Sequence, residues 1–370
     1  MRAAPDFSTR LPELDGVRGI AIALVLAYHY SNFAVEAGAP RLAIVLVAIT
    51  DLGWSGVDLF FVLSGFLIGG ILLDARGSRN YFLAFYVRRT LRILPLYFAV
   101  LGGAYLLGRT ELYAPTLEPK MPWLACVTLT QNFWIAARLT ALSGALIHSW
   151  SLAVEEQFYL VTPLVIHWVK PERLIRLVAV GIVAAPVIRA ALYLHNPNLA
   201  MANYVLLPCR MDALLLGVAA AYFVRQKGGW EWIAAHRRAL WTAVELLTVA
   251  CTVFLVRRIR GSGATLVAQI FELDCLDLLY VGVLLLSLAD ERLGNLMKAK
   301  WLRGLGSIAY GLYLLHVLVF ALVLQPLHPS ANRGVYAVVI SMALTILIAK
   351  ISWEGFEKPL VKMSHRIAFR

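Results

Sequence analysis

Residues 14–31 read LDGVRGIAIALVLAYHYS. The stretch is an apolar helix carrying two ionisable residues, Arg18 near its start and His29 deep in its second half. At about 100° per residue, their spacing of eleven leaves the two side chains only about 20° apart around the helix. They share one face, separated by roughly 16 Å along the axis, about half the depth of a bilayer core. Asp15, three residues before Arg18, lies close to the same stripe and can hold the guanidinium. Burying an ionisable group in a membrane helix costs several kcal/mol, so such a residue marks a functional site by default.

The rest of the chain supports the membrane reading. Of 370 residues, 60% are hydrophobic and 15% charged, whereas soluble chains run near a quarter charged. Mean hydropathy is +0.73. The net charge of +12 comes from basic residues scattered between hydrophobic spans, the pattern of cytoplasmic loops and not of a nucleic-acid surface. The four cysteines, Cys126, Cys209, Cys251 and Cys275, form no CxxC pair and read as small buried residues. The polar run MRAAPDFSTRLPELDG is too long for a cleavable signal, so the first helix stays in the protein. The sequence predicts one integral-membrane domain over residues 1–370, with no appended soluble domain.

The fold class expected is an all-α polytopic bundle. Spans are predicted at about 14–34, 53–73, 90–108, 149–169, 174–194, 205–224, 239–256, 265–289, 306–324 and 335–355. Residues 42–50 are read as an extension or short helix leading into the second span. Residues 123–136, WLACVTLTQNFWIA, are too short to cross and belong in the outer interface, where tryptophans fit. Ten spans put both termini on one side. That side carries 22 of the Lys and Arg residues, against 8 on the other, among them Arg41, Arg109, Lys120, Arg138 and Arg333. The asymmetry places both termini in the cytoplasm. The cluster Arg257, Arg258 and Arg260 is the one local violation.

Several segments carry chemistry. GVDLFFVLSG sets Asp58 and Ser64 in the second span, among glycines that permit close helix packing. YVRRTLRILPLYF places Arg88, Arg89 and Arg92 at a cytoplasmic helix entrance, with Arg88 and Arg92 on one face. They either anchor the helix at the headgroups or clamp phosphates, which guanidinium forks suit. HSWSLAVEEQFYLVTP puts Glu155 and Glu156 into the fourth span about 100° apart, so one of them faces the interior. Arg210 and Asp212 read as members of a structural ion pair with another helix. His316, with Tyr310 and Tyr313 before it, is a second intramembrane histidine, as suited to packing as to a site. Glu357 and Lys358 read as a boundary pair. There is no Walker loop, HExxH, GxSxG or HxxxxD motif and no metal-ligand spacing. A buried histidine base, cytoplasmic arginines and membrane carboxylates fit base-assisted transfer from a phosphate-bearing donor to a hydroxyl.

LDGVRGIAIALVLAYHY, GVDLFFVLSGFLIG, RRTLRILPLY, HSWSLAVEEQFYL, RMDALLLG and IAYGLYLLH occur in the order found in acyltransferase family 3, which the chain resembles over nearly its whole length. These are membrane O-acyltransferases of bacterial surface polysaccharides, lipids and some antibiotics. The resemblance implies a ten-helix core in the inner membrane, an acyl-CoA donor (acetyl-CoA foremost) and an O-acylated, sugar-containing acceptor. The family's Arg-x10-His signature falls on Arg18 and His29, and its arginine motif on Arg88, Arg89 and Arg92. Its SWSLxxEEQFY motif falls on Trp150, Ser151, Glu155 and Glu156. Some members carry an extra periplasmic domain; its expected absence here favours direct transfer to the acceptor.

The resulting expectation has His29 as general base, with Arg18 either stabilising developing charge or touching the coenzyme. Glu155 or Glu156 orients the histidine or the sugar. Arg88, Arg89 and Arg92 hold the coenzyme phosphates, and Asp58, Ser64, Trp150 and His316 are the acceptor-side candidates. A covalent acyl intermediate on His29 or Ser64 is the variant mechanism. A polar passage lined by Arg18, His29 and one glutamate would carry the pantetheine arm, the acceptor entering from the periplasmic side. The competing classes are a proton-coupled transporter of a saccharide or lipid intermediate, and a non-catalytic scaffold or sensor. Expected partners are membrane lipids, acyl-CoA and the acceptor, with no metal and no nucleic acid.

Overall fold

The computed structural model describes residues 5–7, 9–36, 47, 49–117, 121–137, 144–261, 265–327 and 331–370. Among them are ten long helices: α1 (Pro12–Glu36), α2 (Gly56–Asp74), α3 (Tyr81–Leu107), α4 (Trp150–Trp168), α5 (Pro171–His195), α6 (Leu207–Arg225), α7 (Arg237–Ile259), α8 (Leu266–Ala289), α9 (Ala309–Leu327) and α10 (Ala331–Ser352). No strand occurs among the described residues. Seven helices among the described residues are long and apolar enough to cross a membrane. The other three long ones, α1, α4 and α8, carry Arg18 with His29, Glu155 with Glu156, and Glu272 with Asp274 and Asp277. The protein is a multi-pass membrane protein, built of helices among the described residues.

Each predicted span coincides with a long helix. The largest difference is α3, which begins at Tyr81 and not near residue 90. Arg88, Arg89 and Arg92 interrupt the apolar run but not the helix, because long cationic side chains can lie along it and keep their heads in the polar zone. Residues 123–136 form two short helices, Trp123–Val127 and Gln131–Ala137, far below the roughly twenty residues that a crossing needs. Residues 42–46 and 48 of the expected linker helix, and Arg41, Lys120 and Arg138, lie outside the described residues.

Two compact units are present. The first comprises the described residues of Met1–Ala21, Ser55–Gly77 and Val154–Ser307. Within it α2 packs on α6, α6 on α5 and α8, and α7 on α8. The α2–α6 contact is backbone to backbone. A Cβ added at Gly65 would lie 1.9 Å from the Leu214 carbonyl oxygen, and one at Gly217 would lie 2.1 Å from that of Val62. Only glycine admits such an approach, the device that small residues provide between membrane helices. The second unit comprises the described residues of Ile22–Trp54, Ser78–Ala153 and Ile308–Arg370. Here α9 packs on α10 and on α3. α10 continues through a π turn, Trp353–Glu357, into the helix Lys358–Ser364, which returns to α3.

Candidate functional site

The second unit gathers three histidines. The His29 ring, on α1, lies 4.7 Å from that of His316 on α9, and the His316 ring lies 5.0 Å from that of His148. His148 sits on the 3-10 turn Ile147–Ser149, directly before α4. His316 is fully buried, His148 nearly so, and His29 half-buried. Two of the rings are fixed by their own helices. Nδ1 of His29 lies 2.9 Å from the Val25 carbonyl oxygen, and Nδ1 of His316 lies 2.7 Å from that of Tyr313. A carbonyl only accepts, so in the neutral ring Nδ1 carries the proton and Nε2 keeps its basic lone pair. Nε2 of His316 has no protein partner, and neither ring nitrogen of His148 has one of ordinary geometry.

Polar and aromatic neighbours hold this cluster. Tyr313 donates its hydroxyl to the His148 carbonyl (2.6 Å) and lies 2.5 Å from the Ser151 hydroxyl. Gln131, fully buried, donates to the carbonyl and hydroxyl of Ser149 at 2.9 and 3.1 Å, fixing the turn that presents His148. Phe33 and Phe320 stack at 4.0 Å beside His29. Trp150, one turn-residue beyond His148's turn, is buried. No group of three His, Cys, Asp or Glu residues among those described is placed to hold a metal ion. Two basic Nε2 atoms among packed rings can instead accept a proton from a hydroxyl.

The same unit holds the arginine face of α3. Arg88 donates from Nε to the Ile367 carbonyl (2.9 Å), and its guanidinium lies 4.9 Å from the centre of the Phe369 ring. Asn80 grips the same tail, donating to Ala368 O and accepting from Arg370 N, both at 2.8 Å. His365, beyond the last helix, is held below the usual imidazole range by burial and by Arg88, Arg92 and Arg89. The region is thus a cationic patch. Tyr310 donates to the Ile93 carbonyl, tying α9 to α3 next to Arg92. His316 stands six residues further along α9, about 9 Å along its axis.

The other candidates lie in the first unit. Asp15 accepts from Arg18 Nη1 at 3.1 Å, as the spacing predicts, and also from Arg10 Nε at 2.8 Å. Asp58 is fully buried and paired with Arg210 Nη2, so the ion pair expected of Arg210 joins α6 to α2. Asp212 pairs instead with Arg189 at 2.6 Å. The hydroxyls of Ser64 and Tyr159 hydrogen-bond each other. Glu155 and Glu156 are both half-buried on α4. One expectation, in the second unit, is corrected: Lys358 pairs with Glu354 at 2.6 Å, one helical turn back, while Glu357 accepts from Ser352 at 2.9 Å. Neighbours in sequence point apart on a helix, so Glu357 and Lys358 cannot face each other.

The sequence pattern of the acyltransferase domain matches residues 11–353, taking in the histidines, the arginines and both carboxylate segments. The chain belongs to acyltransferase family 3. It is 25% identical over 375 residues to the peptidoglycan O-acetyltransferase OatA of Listeria monocytogenes, covering 95% of this chain and 56% of that protein. It is 27% identical over 375 residues to the O-acetyltransferase OatA of Staphylococcus aureus, covering 95% of this chain and 57% of that protein. The chain spans about half the length of the curated relatives it matches. No solved structure matches it. In this family member, sequence reasoning missed His148 and Gln131. The usable signal was composition: of eight histidines, one stands immediately before the SWSL segment, at the mouth of a span.

Proposed function

We propose that the protein is a membrane O-acyltransferase that moves an acyl group, acetyl foremost, from acyl-CoA to a hydroxyl of a cell-envelope saccharide. The observation that carries this reading is the paired backbone hold on His29 and His316, which leaves Nε2 as the basic atom of each of two rings 4.7 Å apart. The relatives are named for O-acetyl transfer, to peptidoglycan in the Listeria protein, which supports the acetyl group and the sugar acceptor.

In the proposed reaction His29 Nε2 takes the hydroxyl proton as that oxygen attacks the thioester carbonyl carbon. The carbon–sulfur bond then breaks, the coenzyme thiolate leaves, and the imidazolium returns its proton to that sulfur. Arg18 balances charge on the carbonyl oxygen or touches the coenzyme, and Glu155 or Glu156 orients base or sugar. Asp58, Ser64, Trp150 and His316 are the acceptor-side residues of this reading. The donor's phosphates lie at Arg88, Arg89 and Arg92. A donor whose charged end and reactive carbon are separated by a flexible arm would join the arginine face to the histidines.

The topology that goes with this reading is a single domain of ten spans in the inner membrane, both termini cytoplasmic, as the basic-residue asymmetry supports. The test is incubation of membranes with labelled acetyl-CoA and candidate saccharides, wild type beside His29→Ala. Donor-dependent label in an ester of the saccharide, lost in the variant, is expected. Gradient-driven saccharide uptake without ester formation would replace the reading with transport.

A further inference from the structure

The first unit encloses a second set of ionisable groups that, Asp58 apart, the proposed reaction does not use. Two arginines, Arg189 and Arg210, are fully buried there. Four aspartates surround them: Asp58 on α2, Asp212 on α6, and Asp274 and Asp277 on α8. Arg189 bonds Asp212 and Asp274 at 2.6 and 2.8 Å, and its remaining donors go to the carbonyls of Cys209, Gln269 and Ile270. Arg210 bonds Asp58 and faces the rings of Phe61 and Tyr204. Guanidinium keeps its charge throughout the accessible pH range, so the fully ionised set would carry a net charge of −2. Uncompensated charge in such surroundings costs several kcal/mol.

Asp277 is the odd member. It is 1% exposed, makes no ion pair among the described residues, and its Oδ1 has no partner. Asp58 Oδ2 is equally orphaned, although Asp58 Oδ1 is held by Arg210. The two carboxyls are side-chain neighbours at hydrogen-bonding reach. Ionised carboxylates can only accept, so no arrangement of two carboxylates satisfies both oxygens. One proton satisfies both. Of the other groups facing Asp277, Asp212 accepts from Arg189, Arg189 spends all its donors elsewhere, and Tyr280 shares a hydrogen bond with the Ser55 hydroxyl at 2.5 Å; none of them, nor Arg210 Nη1 or the Cys251 thiol on α7, makes a hydrogen bond to Asp277 Oδ1.

We propose that Asp277 is a proton-binding site, its Oδ1 carrying a proton that is donated to Asp58 Oδ2. The bound proton joins α8 to α2 and, through Asp58 and Arg210, to α6. It brings the set's net charge from −2 to −1, and Asp274, the one partly exposed carboxyl, meets solvent with what remains. Loss of the proton sets two carboxylates against one guanidinium inside the unit. The site is therefore a proton-dependent lock on these three helices, separate in chemistry from the histidines; it shares only Asp58 with the acyl-transfer reading, and its test reads the proton and not acyl transfer.

Infrared spectroscopy of the purified protein in lipid nanodiscs tests the assignment, wild type beside Asp277→Asn. A protonated carboxyl has a carbonyl stretch apart from the amide bands, and that stretch shifts in heavy water. The wild type near neutral pH should show it, and Asp277→Asn should lose one carboxyl's worth, since the amide donates to Asp58 in place of the acid. Unfolding should release this proton, so the wild-type unfolding midpoint falls as pH rises and the variant's profile is flatter. Absence of the band in wild type, or an undiminished band in the variant, overturns the proposal. So does bleaching of the band by sodium at constant pH, which would assign the site to a metal cation. If the variant does not accumulate, the wild-type band alone decides: its loss on alkalinisation supports the site, and a pH-independent band refutes it.

Discussion

Replacing His29 by glutamine is the sharpest probe of the proposed chemistry. Glutamine is close to histidine in size and can still donate to the Val25 carbonyl, but it cannot accept a proton at neutral pH. The structure separates the two roles of the ring. Nδ1 is spent on the helix carbonyl at 2.9 Å, and Nε2 is the atom left for chemistry. The packing loss falls on the ring contacts with His316 at 4.7 Å, Tyr28 at 5.2 Å and Phe33 at 6.0 Å, on the order of 0.5–1.5 kcal/mol each. The half-buried position limits the folding cost further. Removing a general base costs roughly 10²–10⁴ in rate, or about 3–5 kcal/mol of barrier. The assay is acyl transfer at saturating donor, with protein level and thermal midpoint measured on the same preparation. A His29→Gln variant that retains its midpoint and turns over within about threefold of wild type would refute the base assignment. So would a His316→Gln variant as inactive as His29→Gln whose defect lay wholly in expression, because a shared folding role would then explain both.

Three further outcomes are expected. Arg92→Ala, and to a similar degree Arg88→Ala, should raise the donor's KM more than it lowers kcat, since a phosphate clamp contributes uniform binding; steady-state kinetics with varied acyl-CoA checks this, and a pure kcat defect contradicts it. Gly65→Ala should destabilise the α2–α6 contact by about 1–3 kcal/mol, because its Cβ would stand 1.9 Å from the Leu214 oxygen; thermal unfolding in detergent reads it. Asp290 caps the helix Glu291–Met297, and its bonds from the Leu293 and Arg292 N–H groups, at 3.0 Å each, hold its carboxyl below the usual carboxylate range. Its contribution is full above the unfolded pKa and is lost as pH falls through the lower folded one. Asp290→Ala should therefore cost about 1 kcal/mol at neutral pH and nothing once acid has protonated the cap, as unfolding midpoints across pH will show.

The positions of the ten long helices were legible because lipid demands long apolar runs with satisfied backbones, a local property of sequence. The pairing of ionisable groups was legible only where both partners share a helix. Asp15 and Arg18 meet at 3.1 Å as their spacing requires. Arg210 was readable as a structural cation, but its partner Asp58 stands 152 positions earlier and nothing local names it. His148 escaped for the same reason. It lies outside any long helix, and its neighbour His316 is far along the chain. Glu357 shows the converse error: adjacency in sequence suggested Lys358, and helical geometry assigned Ser352.

The arginine face of α3 shows what spacing alone leaves open. An i, i+4 pair of arginines fits a headgroup anchor and a phosphate clamp equally well. The structure adds that Arg88 is not a free-swinging anchor. Its Nε is committed to the Ile367 carbonyl and its face to the Phe369 ring, while Asn80 fixes the adjoining residues of the same segment. A lipid anchor gains nothing from such restraint, because headgroups adapt to the side chain. A site for one phosphate-bearing ligand does gain, since the entropy of ordering a long cationic side chain is already spent before the ligand arrives. The committed Nε leaves the Nη edge of the fork for oxygen acceptors, in an orientation set by the segment 367–370. Replacing Phe369 with alanine should then weaken donor binding without removing a single charge, and salt should not restore it. Equal donor KM in wild type and Phe369→Ala would return Arg88 to the anchor reading.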